Sequence, residues 1–373
     1  MQFTKKDTLL VKGAAILMML LHHCFESASR YAGYEINFFP LTEAQTITVA
    51  SFFKICVAVF VFLSGFGIAK SLEKIEPKKA GDYARQVRRR SFSLMSGFWI
   101  IFILCIISAA VIDPSMLSVY SGGTISNTAF NVLFDFLGLA ELFGTPTLIG
   151  TWWYMSLALI IICIMPPLYK FYKKFGIIPV FVLTFLVTNI VKTAAKDDIL
   201  NYDMIRYLFT LELGMLCADK NVLPKIKEFR FVKKSRAVDY VIKLALYSAV
   251  MVWCVYIRRY LDWRISYIRD GLIPFLVIIY CYTVIAEIPG IRQALQFLGK
   301  HSMNIFMSHT ILRAYFLKDF IYGMKYSWAV FLVLLALSIV LSIVIDLIKK
   351  YTGYNKLCDK IQLKLIGAKG AAK

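Results

Sequence analysis

Apolar residues run through this chain in long stretches, separated by shorter polar ones, and the stretches are close to membrane length. About 20 apolar residues are needed to carry a helix across roughly 30 Å of hydrocarbon. Runs of that order predict ten spans, at about 8–25, 48–70, 91–112, 150–172, 177–194, 203–219, 238–257, 271–287, 301–317 and 326–349. No segment shows the roughly ten-residue alternation of a transmembrane barrel. The pattern predicts an all-α polytopic membrane protein with about ten transmembrane helices in one bundle. Segment 128–143 is apolar but short and carries Asp135 and Glu141, so it reads as a re-entrant or surface helix. No internal repeat or low-complexity tract interrupts the pattern. The whole of 1–373 reads as one membrane-embedded domain ending in a short basic tail from about 350.

Charge then orients the spans. The stretch 71–90 carries Lys74, Lys78, Lys79, Arg85, Arg88, Arg89 and Arg90, and 219–239 carries seven lysines and arginines. The tail beyond Lys349 is also basic, whereas 113–149 holds no Lys or Arg at all. Alternate loops are therefore positive, which places both termini on the cytoplasmic side. The same distribution disposes of nucleic acid as a partner: the net charge of +20 is spread over loops and not gathered in one basic domain. One segment disobeys. Residues 258–270, predicted outside, hold Arg258, Arg259, Arg264 and Arg269 beside Tyr260, Trp263 and Tyr267. They read either as interfacial anchors with snorkelling arginines or as an outer-face site for an anionic lipid or glycan.

Composition agrees with the pattern. The chain is 59% hydrophobic, well above the share in soluble domains. Its eight cysteines stand singly, mostly within apolar runs, which indicates neither a zinc site nor a disulfide framework; no metal is expected. The apolar run after Lys5 and Lys6 ends at His22-His23-Cys24-Phe25-Glu26, with no small-residue cleavage site, so it reads as a retained first span. High Lys, Ile, Phe and Tyr content suits a bacterium with an AT-rich genome, and with the apolar spans it points to a bacterial plasma membrane.

Only four histidines occur, and His22 and His23 sit at the end of that first span. Imidazoles at such depth are costly unless they pack against partners or line a wet cavity, so they mark a candidate site. Lys12 and His23 are eleven positions apart, almost three helical turns, which puts them on one face about 16 Å apart. His22 is rotated away by about 100°. Glu26 follows His23 by three residues and His22 by four, so either ring is within its reach. A histidine held by a carboxylate is suited to act as general base on a hydroxyl.

The stretch Lys12-Gly13-Ala14-Ala15-Ile16-Leu17-Met18-Met19-Leu20-Leu21-His22-His23 resembles the opening of the acyltransferase-3 family of integral membrane acyltransferases. Further stretches follow in that family's order. Phe60-Val61-Phe62-Leu63-Ser64-Gly65 is similar to its Phe-Phe-x-x-Ser-Gly stretch, and Thr151-Trp152-Trp153-Tyr154 to its tryptophan signature. Arg85 and Arg88 fit its Arg-x-x-Arg motif literally, although aligning Leu94 and Trp99 would put Arg90 first and Ser93 second. Gly299-Lys300-His301-Ser302-Met303-Asn304-Ile305-Phe306-Met307-Ser308-His309 resembles its Gly-Lys-x-Ser-x-x-Ile stretch. Lys12 departs from the commoner arginine, keeping the charge but losing the planar fork.

The resemblance implies transfer of an acyl group, most often acetyl, from cytoplasmic acetyl-CoA to a hydroxyl of an extracytoplasmic or lipid-linked carbohydrate. It implies His23, supported by Glu26, as general base or transient acyl carrier. Lys12, Arg85, Arg88, Arg89 and Arg90 would meet the donor's phosphates. Ser64 and Gly65 either allow close helix contact or let the donor chain pass, and His309 makes either a helix-helix hydrogen bond or a donor contact. Trp152 and Trp153 are interfacial anchors or a sugar-stacking platform, and Arg258, Arg259 and Trp263 are candidates for the acceptor. A proton-coupled transporter of a small polar solute is the competing class, since carriers also use intramembrane histidine with Lys and Glu. A non-catalytic scaffold is a third.

Overall fold

The computed structural model describes residues 2–75, 80–121, 125–194, 205–260 and 267–366. Among them the chain is helical and forms no strand beyond an isolated bridge between Asn37 and Tyr326. The principal helices are α1 (Lys5–Phe25), α2 (Glu43–Phe52), α3 (Cys56–Glu73), α4 (Ala80–Ile112) and α5 (Ile125–Phe136). They continue with α6 (Trp153–Phe175), α7 (Ile177–Ala194), α8 (Leu208–Asp219), α9 (Arg236–Tyr260) and α10 (Ile273–Thr283). The series ends with α11 (Pro289–Lys300), α12 (Ser302–Ile311), α13 (Ser327–Tyr351) and α14 (Tyr354–Ile366).

Seven helices among the described residues are long and apolar enough to cross a membrane, against ten expected. The shortfall lies in three places. α7 is apolar but falls in a shorter class, α8 has 12 residues, and α12 has 10 before the backbone widens into a π-turn over Leu312–Phe316. Apolarity did not fix how far each of the three continues as regular helix, and α7 keeps much of its apolar surface exposed while α8 and α12 are mostly buried. The segment around Asp135 is a short helix followed by a turn, as its length suggests. Asp135 itself is buried and accepts hydrogen bonds from Tyr120, from Thr147 Oγ1 at 2.9 Å and from the Leu148 amide at 2.8 Å.

The described residues form two compact units. The first comprises 1–71, 169–302 and 319–335, and the second 72–168, 303–318 and 336–373. The first is organised by two reciprocal glycine contacts. A Cβ on Gly13 of α1 would overlap the Leu295 carbonyl of α11, while one on Gly299 of α11 would overlap the Leu9 carbonyl of α1. In the same way Gly65 of α3 lies against the Leu211 carbonyl of α8, and Gly214 of α8 against the Phe62 carbonyl of α3. Small residues allow backbones to approach so closely in a medium where apolar burial does not drive helix association. Adding a methyl at Gly13 forces the carbonyl away, an overpacking cost of about 1–3 kcal/mol. Gly13→Ala is therefore expected to lower the thermal midpoint of the detergent-purified protein; an unchanged midpoint would show that the helices separate freely there.

In the second unit the basic stretch expected in a loop is helical. α4 has 33 residues, about 50 Å at 1.5 Å per residue, against about 30 Å of hydrocarbon. Its first ten residues or so extend the helix beyond the apolar part and carry Arg85, Arg88, Arg89 and Arg90.

Candidate active site

The end of α1 places its two histidines on successive positions, so the rings diverge. His22 turns into protein and is buried, while His23 is half-buried. His22 Nδ1 donates to the Ala50 carbonyl near the end of α2 at 2.9 Å, and Nε2 lies 2.7 Å from Glu26 Oε2. Carbonyl and carboxylate are both acceptors, so both contacts are filled together only when each ring nitrogen carries a hydrogen. Arg30 Nε donates to the other Glu26 oxygen at 2.8 Å, and a second Arg30 nitrogen closes on the same atom. The two rings stand with centroids 5.0 Å apart at 62°.

Glu26 caps α1 one residue beyond its last turn, its amide bonded to the His22 carbonyl at 2.9 Å. Burial would raise its carboxyl, but hydrogen bonds and charges from His22 and Arg30 outweigh burial and hold it at about 2. The carboxylate is thus ionised at any physiological pH. A C-terminal helix end, rich in unpaired carbonyls, also favours positive charge on residues of the last turn.

Helix α2 ties this pair to a second group of charges. Ser51 Oγ donates to the Glu26 carbonyl at 3.2 Å. The Ser51 and Phe52 carbonyls accept from one terminal nitrogen of Arg258, at 3.1 and 3.2 Å. The other terminal nitrogen of Arg258 lies 3.1 Å from Asp270 Oδ1. Aromatic packing closes over the end of α1. Phe25 packs against Tyr31 and Phe38, and the Tyr322 hydroxyl donates to the Cys24 carbonyl at 3.2 Å.

The remaining candidates distribute unevenly. Lys12 is half-buried on α1, eleven residues before His23. Ser64 bonds back to the Phe60 carbonyl at 2.8 Å, and the Leu211 carbonyl of α8 lies directly against Gly65, a close helix contact. In the second unit Arg88 and Arg89 are exposed, and Arg85 pairs with Asp82 at 3.1 Å. His309 is wholly buried, with Nδ1 against the Phe306 carbonyl at 2.9 Å and Nε2 against Thr310 Oγ1 at 3.1 Å. Trp152 is a correction. Its indole is 2% exposed, packs against Phe98 and Phe102, and donates to the Met307 carbonyl at 2.9 Å. An indole so enclosed neither anchors at an interface nor presents a face to a sugar. Trp153 is half-buried, Arg259 is exposed, and Trp263 lies outside the described residues.

Four contributors escaped the sequence. Ala50 holds His22 through a backbone carbonyl, which leaves no trace in side-chain type. Gly299 and Leu295 set α11 against α1, although Gly13 and Gly299 both stand in the stretches that carried the resemblance. Asp270 was passed over beside four arginines, yet it is the partner of Arg258.

The structure thus describes a multi-pass helical protein with a carboxylate-held histidine at the end of its first apolar helix. The sequence profile of the acyltransferase domain that defines the acyltransferase-3 family matches residues 10–347, nearly the whole chain. The chain belongs to that family and is an acyltransferase. Neither curated proteins nor solved structures yield a match to it.

Proposed function

We propose that this protein transfers an acyl group, acetyl in the first instance, from cytoplasmic acyl-CoA to a hydroxyl of an extracytoplasmic or lipid-linked carbohydrate, with His23 as the proton acceptor. The observation that carries the choice of ring is the state of its neighbour. Both nitrogens of His22 are engaged within the protein, one with the Ala50 carbonyl and one with Glu26, so neither is available to an incoming hydroxyl without breaking a contact. His23 is half-buried on the adjacent position and faces a different direction. His22, Glu26 and Arg30 then form a positioning group that fixes the end of α1 and sets the field in which His23 works.

In this scheme His23 takes the acceptor's hydroxyl proton as that oxygen attacks the thioester carbonyl. It returns the proton to the sulfur as the carbon–sulfur bond breaks, leaving an ester and free coenzyme A. A covalent variant has His23 itself attack the thioester carbonyl and expel the coenzyme A thiol, after which the hydroxyl attacks the acyl-imidazole carbonyl and displaces His23, leaving the ester. Arg88 and Arg89, exposed on the extension of α4, offer guanidinium groups of the kind that bind phosphate, and Lys12 lies on the His23 face. The loop charges put the arginines on the cytoplasmic side and His23 towards the other.

Purified protein incubated with acetyl-CoA and a crude cell-envelope glycan fraction is expected to release free coenzyme A and label the glycan. A proton-coupled carrier would release none, and that result would remove the transfer reading.

A further inference from the structure

The acyl-transfer reading leaves the acceptor's chemistry open, and a cleft beside the histidine pair narrows it. A cavity of about 450 Å³ opens between α2, the end of α9 and the turn before α10. Arg258, Arg259 and Arg269 all line it, with Thr48, Ser51 and the apolar Ile47 among the other walls. No carboxylate lines it among the described residues, and the Asp270 carboxylate is paired with Arg258. Three guanidinium groups around one space repel each other, a cost that an anion between them would reverse.

The cleft is also built and not merely charged. Arg258 is 6% exposed and held by the Ser51 and Phe52 carbonyls and by Asp270. Yet its Nε, and that of Arg269, are buried with no hydrogen-bond partner among the described residues. A buried donor without an acceptor is unfavourable, and an oxyanion drawn in among these side chains would supply the missing acceptor. Guanidinium is the group best matched to carboxylate and phosphate oxygens.

Its location points to the acceptor. The last three carbonyls of α2 are shared out: Ala50 holds His22, while Ser51 and Phe52 hold Arg258. One helix end therefore forms both a wall of the cleft and the support of the histidine pair. From this we infer that the cleft binds an oxyanion, carboxylate or phosphate, carried by the acceptor saccharide, so that the substrate class is an acidic or phosphorylated glycan rather than a neutral one. This inference depends on the acyl-transfer reading for its direction, and its test separates the two.

Full-length protein in an uncharged detergent is titrated with trigalacturonate and with glucose 1-phosphate, with maltotriose as the neutral control. At least one anionic saccharide is expected to bind and maltotriose not to. Arg259→Gln and Arg269→Gln should each weaken that binding about tenfold or more, as loss of a charge-assisted hydrogen bond implies. Thr48→Glu, which sets a carboxylate in the cleft without removing any arginine, should abolish it. Equal binding of charged and neutral saccharides, no binding of either anion, or indifference to all three variants overturns the inference. A parallel titration in phosphatidylcholine discs with and without phosphatidylglycerol identifies the source of the anion. Loss of saccharide binding only when the anionic lipid is present would make the cleft a lipid site and overturn the acceptor assignment. Coenzyme A release from acetyl-CoA is followed on the same samples. Release with charge-indifferent saccharide binding defeats this inference alone, whereas no release defeats the transfer reading whatever the saccharides do.

Discussion

Replacing His23 with alanine is expected to lower acyl transfer by roughly 10²–10⁴-fold, the usual loss when a positioned base is removed. The size of the effect follows from the geometry next door. If the adjacent ring were free, it would substitute in part for the missing one. His22 is not free: its Nδ1 serves Ala50 and its Nε2 serves Glu26. His22→Ala should therefore fail in a different way. It removes the side-chain donor from the Ala50 carbonyl, which keeps its bond from the Phe53 amide, and leaves one Glu26 oxygen without its partner, at a cost of about 1–3 kcal/mol in stability, with more residual transfer than His23→Ala. Release of coenzyme A, acceptor acylation and thermal midpoint measured on both variants separate the two roles. Undiminished transfer by a well-folded His23→Ala protein would remove the base from this scheme. Greater damage to transfer from His22→Ala at equal stability would move the base to His22.

Much of this site was legible before any coordinates. The apolar runs located the first span and the two histidines at its end, because membrane depth penalises imidazole enough to make it conspicuous. Spacing put Glu26 within reach of both rings, but three and four residues are equivalent along a helix, and only the packing of α2 could decide which ring it holds. Once Ala50 had claimed the Nδ1 of His22, the ring was fixed with its Nε2 toward Glu26. The arginine segment shows the opposite limit. Four like charges on an outer loop looked like a surface feature, and Arg258 proved to be a buried tie between α2 and the turn before α10. Burial of a charge depends on partners from distant segments, here 12 and over 200 residues away, and no local pattern reveals them. Trp152 failed for a related reason. Its place at the start of a span is also where interfacial tryptophans sit, and only the Met307 carbonyl, supplied by α12, draws it inward. The expected ten spans stand against seven helices of sufficient length among the described residues, since apolarity does not set helix length: α8 and α12 are apolar and short.

Glu26→Gln tests whether charge, and not hydrogen-bonding shape alone, is what Glu26 contributes. The amide oxygen can still accept from His22 or Arg30, so the local geometry is largely kept while the negative charge is lost. Removing one charge-assisted contact of about 1.5–3 kcal/mol should lower transfer by about ten- to a hundred-fold, although Glu26 acts through His22 and does not itself meet the acceptor. The pH dependence gives a readout that a merely steric change would not move. The folded chain holds the Glu26 carboxyl at about 2 against an ordinary 4.5, so on acidification the unfolded chain takes up this proton first. The stabilisation is complete above about pH 4.5 and is lost as pH falls from there through about 2. Glutamine has no such proton to bind. The gap in thermal midpoint between wild type and Glu26→Gln should therefore be constant near neutrality and narrow steadily below pH 4.5. A gap that stays the same down to pH 3 would mean that the carboxylate's charge stabilises nothing, and the His22–Glu26–Arg30 group would then be a packing contact with no electrostatic hold on the neighbouring ring.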